Sequence, residues 1–161
     1  MTLGLLVLAY WLHMAATVVW IGGLTFQSLI LAPSLGLGSD LLERVRRRFE
    51  PLAWLSLAVL VGTGLLQMSS NPNYVGLLSI TNRWSAAILI KHLLIGGMLL
   101  VAGYQTWGLQ PRLARLQLTA SRVAGSAEPL ENLLKEWRRL LHLQTAASML
   151  VLALTAVARS A

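Results

Sequence analysis

Residues 3–31 read LGLLVLAYWLHMAATVVWIGGLTFQSLIL, a run from Leu3 to Leu31 without one charged side chain. About 20 apolar residues carry an α-helix across the hydrocarbon of a bilayer, so this run is long enough to span it with tilt to spare. Working outward, three further runs of the same kind follow: Pro51 to Met68, Trp84 to Trp107 and Leu140 to Ala158. Four such runs in succession predict an all-α protein, an integral membrane four-helix up-down bundle. It is read as a single membrane domain over residues 1–161, with spans at about 3–31, 51–68, 84–107 and 140–158. The first run has no basic segment before it and no small-residue cleavage site, so it is expected to be a retained helix.

Composition agrees with a lipid solvent. The chain is 56% hydrophobic and 12% charged, with a mean hydropathy of +0.66; a soluble domain carries about 25% charged residues. Its acids (Asp40, Glu43, Glu50, Glu128, Glu131 and Glu136) fall in two windows, each shared with bases. The net charge of +7 would suit nucleic acid, but the bases flank spanning runs, where orientation signals sit, so no nucleic-acid partner is expected. There is no cysteine, which excludes disulfides and thiolate metal sites.

The connections set the orientation. Ala32-Pro33 is expected to stop the first helix, and Gly36, Gly38, Ser39 and Asp40 to make a turn. A basic stretch with Arg44, Arg46, Arg47 and Arg48 precedes a second helix opening near Pro51. Ser69-Ser70-Asn71-Pro72-Asn73 reads as a turn, Tyr74 to Thr81 as an interfacial segment, and Gln110-Pro111 as the end of the third helix. The last connection carries Arg112, Arg115, Arg122, Lys135, Arg138 and Arg139; within it residues 127–139 form an amphipathic segment, capped by Ser126 with Pro129 in its first turn. The middle connection has only Arg83, so the positive-inside rule puts both termini outside and both basic loops in the cytoplasm.

Polar residues inside the spans point to function, because lipid penalises them. Helix 1 carries His13, Thr17, Trp20, Leu24 and Gln27 on one stripe, and helix 3 carries Trp84, Lys91, Met98 and Gln105 at intervals of seven. Helix 2 offers Ser56, Thr63 and Gln67; helix 4 offers Gln144, Ser148 and Thr155, with His142, Thr145 and Met149 on a neighbouring face. Lys91 lies about 10 Å of helix from Trp84, within reach of snorkelling, yet no span contains an acid to neutralise it. An interior lysine therefore suggests a ligand that brings negative charge, such as a porphyrin propionate. His13 and His92 stand at similar depth on helices 1 and 3, which are diagonal in such a bundle, so two neutral imidazoles could take one metal or the axial positions of haem b. His92 is one residue, about 100°, off the Lys91 stripe. His142 lies at the other end of the membrane. The methionines read mainly as packing, with Met98 a candidate copper contact. No acid pair, nucleotide loop or nucleophile elbow is present, so whether the chain is an enzyme is left open.

Three stretches carry a family likeness. WLHMAATVVWIGGLTF (Trp11 to Phe26), RRFEPLAWLSLAVLVGTG (Arg47 to Gly64), and LIKHLL followed by QPRL (Leu89 to Leu94, Gln110 to Leu113) resemble the first three helices of the copper-resistance D (CopD) membrane family. In the fourth, Gln144 stands where the resemblance leads one to expect glutamate. The His13, Trp20-x-Gly-Gly-Leu and Lys91 positions also resemble HemJ, a four-helix protein associated with protoporphyrinogen oxidation. The CopD resemblance implies copper handling in the bacterial cytoplasmic (inner) membrane. Copper would come from a periplasmic donor, because the outer connection has no His, Met or Cys.

Together these readings give a haem b or copper site between helices 1 and 3, with His13, His92, Lys91 and Trp20 as cofactor contacts and His13, His92 and Met98 as metal contacts. The alternatives are a copper import permease without haem, a HemJ-like porphyrinogen oxidase, and a structural subunit of a membrane complex. The expected surroundings are the lipid bilayer and a membrane redox partner or copper donor; a homo-oligomer stays open.

Overall fold

The computed structural model describes residues 3–35, 39–70, 83–120 and 127–160. The turn at 36–38, the 71–82 connection with its expected interfacial segment, and the Ser126 cap lie outside them. Each described stretch is essentially one helix. α1 covers Leu3–Leu35, α2 Asp40–Ser69, α3 residues 83–120 and α4 Ala127–Ser160. All four are long and apolar enough to cross a membrane. Among the described residues there is no strand. The protein is an all-α four-helix membrane bundle.

The helices run past the ends expected for them, and the reasons are local. Ser39, in extended backbone, caps α2 by accepting from the Leu42 amide at 3.3 Å, with Asp40 and Glu43 in the first turn to suit the helix dipole. The helix therefore starts before the basic stretch and carries Pro51 in its interior instead of opening on it. Pro33 and Pro111 do not stop their helices either. Each is preceded by a π turn, Gln27–Leu31 in α1 and Tyr104–Leu109 in α3. Proline cannot donate to the carbonyl four residues back and its ring crowds that carbonyl; the wider turn makes room and the helix resumes. In α4 the amphipathic segment and the final span are one continuous helix.

α1 packs mainly on α2 and α3 mainly on α4, with α1 and α4 also in contact, so α1 and α3 stand across the bundle from each other. Between α2 and α3, Trp54 and Trp107 stack with ring centroids 5.1 Å apart, and Trp54 Nε1 donates to Thr106 Oγ1 at 3.3 Å. The core is built from Trp20, Leu24, Leu57, Met98, Leu109 and Leu141 with smaller residues between. The polar stripes face inward with it: Gln27, Ser56, Thr63, Gln105, Gln144 and Ser148 are all buried. Outward-facing positions are large and apolar. Leu93, Leu100 and Trp107, seven residues apart on α3, are 68%, 77% and 72% exposed, a surface suited to lipid.

Candidate functional site

His13 is half-buried on the inner face of α1, and its Nδ1 lies 2.9 Å from Thr63 Oγ1 of α2. The hydrogen-bond network fixes which atom donates. Thr63 spends its own hydroxyl proton on the Val59 carbonyl, 2.5 Å away, so the proton between the two side chains belongs to the imidazole. His13 is thus held as the Nδ1–H tautomer with the lone pair on Nε2. Gly64 gives the ring its place: a Cβ there would stand 3.5 Å from His13 Cε1. Gln67 closes the same end by donating to the Ala9 carbonyl at 3.2 Å.

His92, half-buried on α3, arrives at the same tautomer by a different route. Its Nδ1 is 2.7 Å from the Ile88 carbonyl of its own helix, an oxygen that can only accept. The proton is therefore on Nδ1 and the lone pair again on Nε2. An imidazole whose Nδ1–H is anchored to a fixed acceptor is the usual state of a metal-ligating histidine. Lys91 is half-buried and close enough to His13 to act on it electrostatically, so the structure brings these two expected residues to one level of the bundle.

The other expected contacts lie elsewhere. Trp20 is two helical turns beyond His13, about 10 Å along α1, and buried in the core with Met98. Met98 packs against that core, and its carbonyl accepts from Gln144 Nε2 at 3.3 Å. His142 is mostly exposed at the basic end, where its Nδ1 meets Ser28 Oγ at 2.7 Å. No group of three or more His, Cys, Asp or Glu side chains forms a metal site among the described residues. A metal at the His13 level would therefore take few protein ligands.

Two cavities among the described residues lie toward the opposite end from His13. One of about 60 Å³ opens between all four helices, with Trp20, Gln27, Arg46, Gln105 and Gln144 in its wall. One of about 20 Å³ adjoins it, with Arg46 and Trp137 in common. Neither is bordered by His13, Lys91 or His92. The haem b expectation gains no support from this packing.

Sequence reasoning missed three participants. Thr63 and Gly64 were legible only as a polar group and a small residue, since nothing in a sequence says which histidine a threonine will meet. Arg46 reads as a loop cation but is 8% exposed. Its signal was available: Leu42, Arg46 and Ala53 keep a helical phase that continues into the buried face of α2.

Comparison with known proteins gives one result. Residues 43–158, well over half of the chain, match the family model CopD, described as Copper resistance protein D. The match takes in Lys91 and His92 but not α1 and its His13. No curated protein and no solved structure matches the chain.

Proposed function

This chain belongs to the copper resistance protein D (CopD) family, and from that premise we propose that it passes Cu(I) through a low-coordinate site formed by His13 and His92. The observation that carries the reading is the shared tautomer. Both rings have Nδ1–H tied to a bundle oxygen and Nε2 left as the ligating atom, on helices that face each other across the bundle. Imidazole nitrogen suits copper, and Cu(I) accepts as few as two such donors. Copper enters and leaves in the same oxidation state, so no electron acceptor is required.

Lys91 shapes how firmly the ion is held. An ammonium at the His13 level opposes a second cation there, which suits passage better than storage: conduction needs binding weak enough to be released. The bases of α2 and α4 and those ending α3 would face the cytoplasm of a bacterial cell and the His13 end the periplasm, as the positive-inside rule directs. With no His, Met or Cys in the outer connection, a periplasmic donor would deliver the ion.

The test is Cu(I) uptake into proteoliposomes containing the purified protein, compared with His13→Ala and His92→Ala. Each variant is expected to bring uptake down toward that of empty liposomes. Uptake by both at the parent rate would refute the site. A Soret band with sharp reduced α and β bands in the purified protein would replace the copper reading with a haem b one.

A further inference from the structure

The 60 Å³ cavity at the basic end presents donors with nothing to donate to. Trp20 Nε1, Arg46 Nη1 and Gln105 Nε2 are buried and have no hydrogen-bond partner among the described residues, and all three residues line that cavity. Trp20, Arg46 and Gln105 are only 4%, 8% and 9% exposed. A buried donor left unsatisfied costs about 1–3 kcal/mol, and more when charged, so native proteins keep few of them. Three on one small cavity form a pattern with a sign. The indole and the guanidinium can only donate; the Gln105 amide can turn end for end, but the other two cannot reverse their polarity.

We propose that this cavity is a binding site for a small oxyanion, a carboxylate, bicarbonate or phosphate group, whose oxygens accept from Trp20, Arg46 and Gln105. Size and access both fit. Its volume accommodates a ligand of a few heavy atoms but not a porphyrin or a nucleotide. Arg46 forms the wall shared with the smaller cavity, which opens beside Ser39 and Gln117 at the basic end of the bundle. The bases ending α3 and those of α4 stand at the same end and favour the approach of an anion.

Arg46 is set up for this role. Its Nη2 is paired with Glu43, and its guanidinium lies 6.0 Å from the centre of the Trp137 ring. These contacts hold the group in place while Nη1 stays available. Glu50 also lines the cavity, and its carboxylate limits the negative charge the site will take. The site is independent of the copper reading, since it shares no residue with the His13 level.

The experiment is thermal unfolding of the purified full chain in a zwitterionic detergent, titrated with acetate, bicarbonate, phosphate and, as a control, chloride. A ligand that binds only the folded state raises the midpoint in a saturable way. At least one oxyanion is expected to do so, chloride not. Trp20→Phe and Gln105→Leu, which remove one donor each, should weaken the half-saturating concentration at least tenfold. Glu50→Gln should tighten it. Arg46→Gln should abolish it; because that change also breaks the Glu43 pair, the Trp20 and Gln105 variants decide the matter if it fails to fold. A parallel series in phosphatidylcholine and phosphatidylglycerol nanodiscs separates sources. Stabilisation by phosphatidylglycerol alone, lost in Trp20→Phe, would assign the oxyanion to a lipid headgroup. No saturable effect from either source, or equal effects in the parent and Trp20→Phe, would overturn the site.

Discussion

Thr63→Val tests the tautomer argument, because it keeps the shape of the side chain and removes the oxygen that His13 Nδ1–H donates to. Two effects are expected. An imidazole N–H left without an acceptor inside the bundle costs about 1–3 kcal/mol. Loss of the outer partner of a metal-bound histidine lowers metal affinity roughly 10–100-fold, which is about 1.4–2.7 kcal/mol. The first is a cost to the folded bundle and the second a loss of metal affinity, and both begin with one proton losing its anchor. The 2.9 Å separation marks a full hydrogen bond, and half-burial of the ring puts each effect toward the lower end of its range. The assay is anaerobic competition for Cu(I) against a chromophoric chelator, with the protein in detergent. Thr63→Ser, which restores the hydroxyl, should recover most of the affinity. Thr63 also donates to the Val59 carbonyl, but that oxygen keeps its helical partner, so any fall in the thermal midpoint should come from the orphaned imidazole N–H alone. Unchanged Cu(I) affinity in Thr63→Val alongside a loss in His13→Ala would refute the reasoning about the proton. No change in either would refute the site.

Three packing predictions follow from the same geometry. Gly23→Ala would drive a Cβ into the Phe49 ring and should destabilise the bundle by about 1–3 kcal/mol in reversible unfolding, whereas Gly22→Ala, with open space, should be near neutral. Trp54→Ala and Trp107→Ala should be non-additive, with a coupling of about 0.5–1.5 kcal/mol from the stacked pair; additive losses would mean the stack does not join α2 to α3. Ser28→Ala removes the His142 partner at a fully buried position and should cost about 0.5–1.5 kcal/mol in the same unfolding assay; an unchanged midpoint would count against that link.

The membrane bundle was legible because lipid makes a simple demand, about 20 apolar residues per crossing, and the chain meets it four times. The inward direction of the polar stripes was legible for the same reason: Gln27, Thr63 and Gln144 have nowhere else to go. Helix ends were not. Pro33 and Pro111 look like stops, and only the backbone shows that π turns absorb them. Pro51 looks like a start, yet Ser39 had already capped the helix. At the site, the sequence identifies His13 and Lys91 but not their common level, which depends on how α1 and α3 are offset. The Thr63 partnership depends on the α1–α2 register, which no local pattern encodes. Arg46 was misplaced because a cluster of four arginines reads as solvated, while the phase of α2 buries one of them.

The offset of α1 and α3 proves to be regular. His13, Trp20 and Gln27 are seven apart, and so are Lys91, Met98 and Gln105; a proline follows each glutamine by six, at Pro33 and Pro111. Two helices that cross in the same direction and face each other across the bundle thus carry polar groups at matched depths. His13 comes level with Lys91, Trp20 with Met98, and the two glutamines with each other beside the π turns. This correspondence puts Lys91 at the depth of His13 on the facing helix. It also gives the interior a direction. In the proposed function the first level, with imidazole lone pairs beside a positive charge, would take a soft cation and let it go. The last level, with N–H donors around Arg46, would take the proposed oxyanion. Between them lie the core side chains Leu57 and Met98, which separate the two chemistries and are what any ion crossing the bundle would have to part.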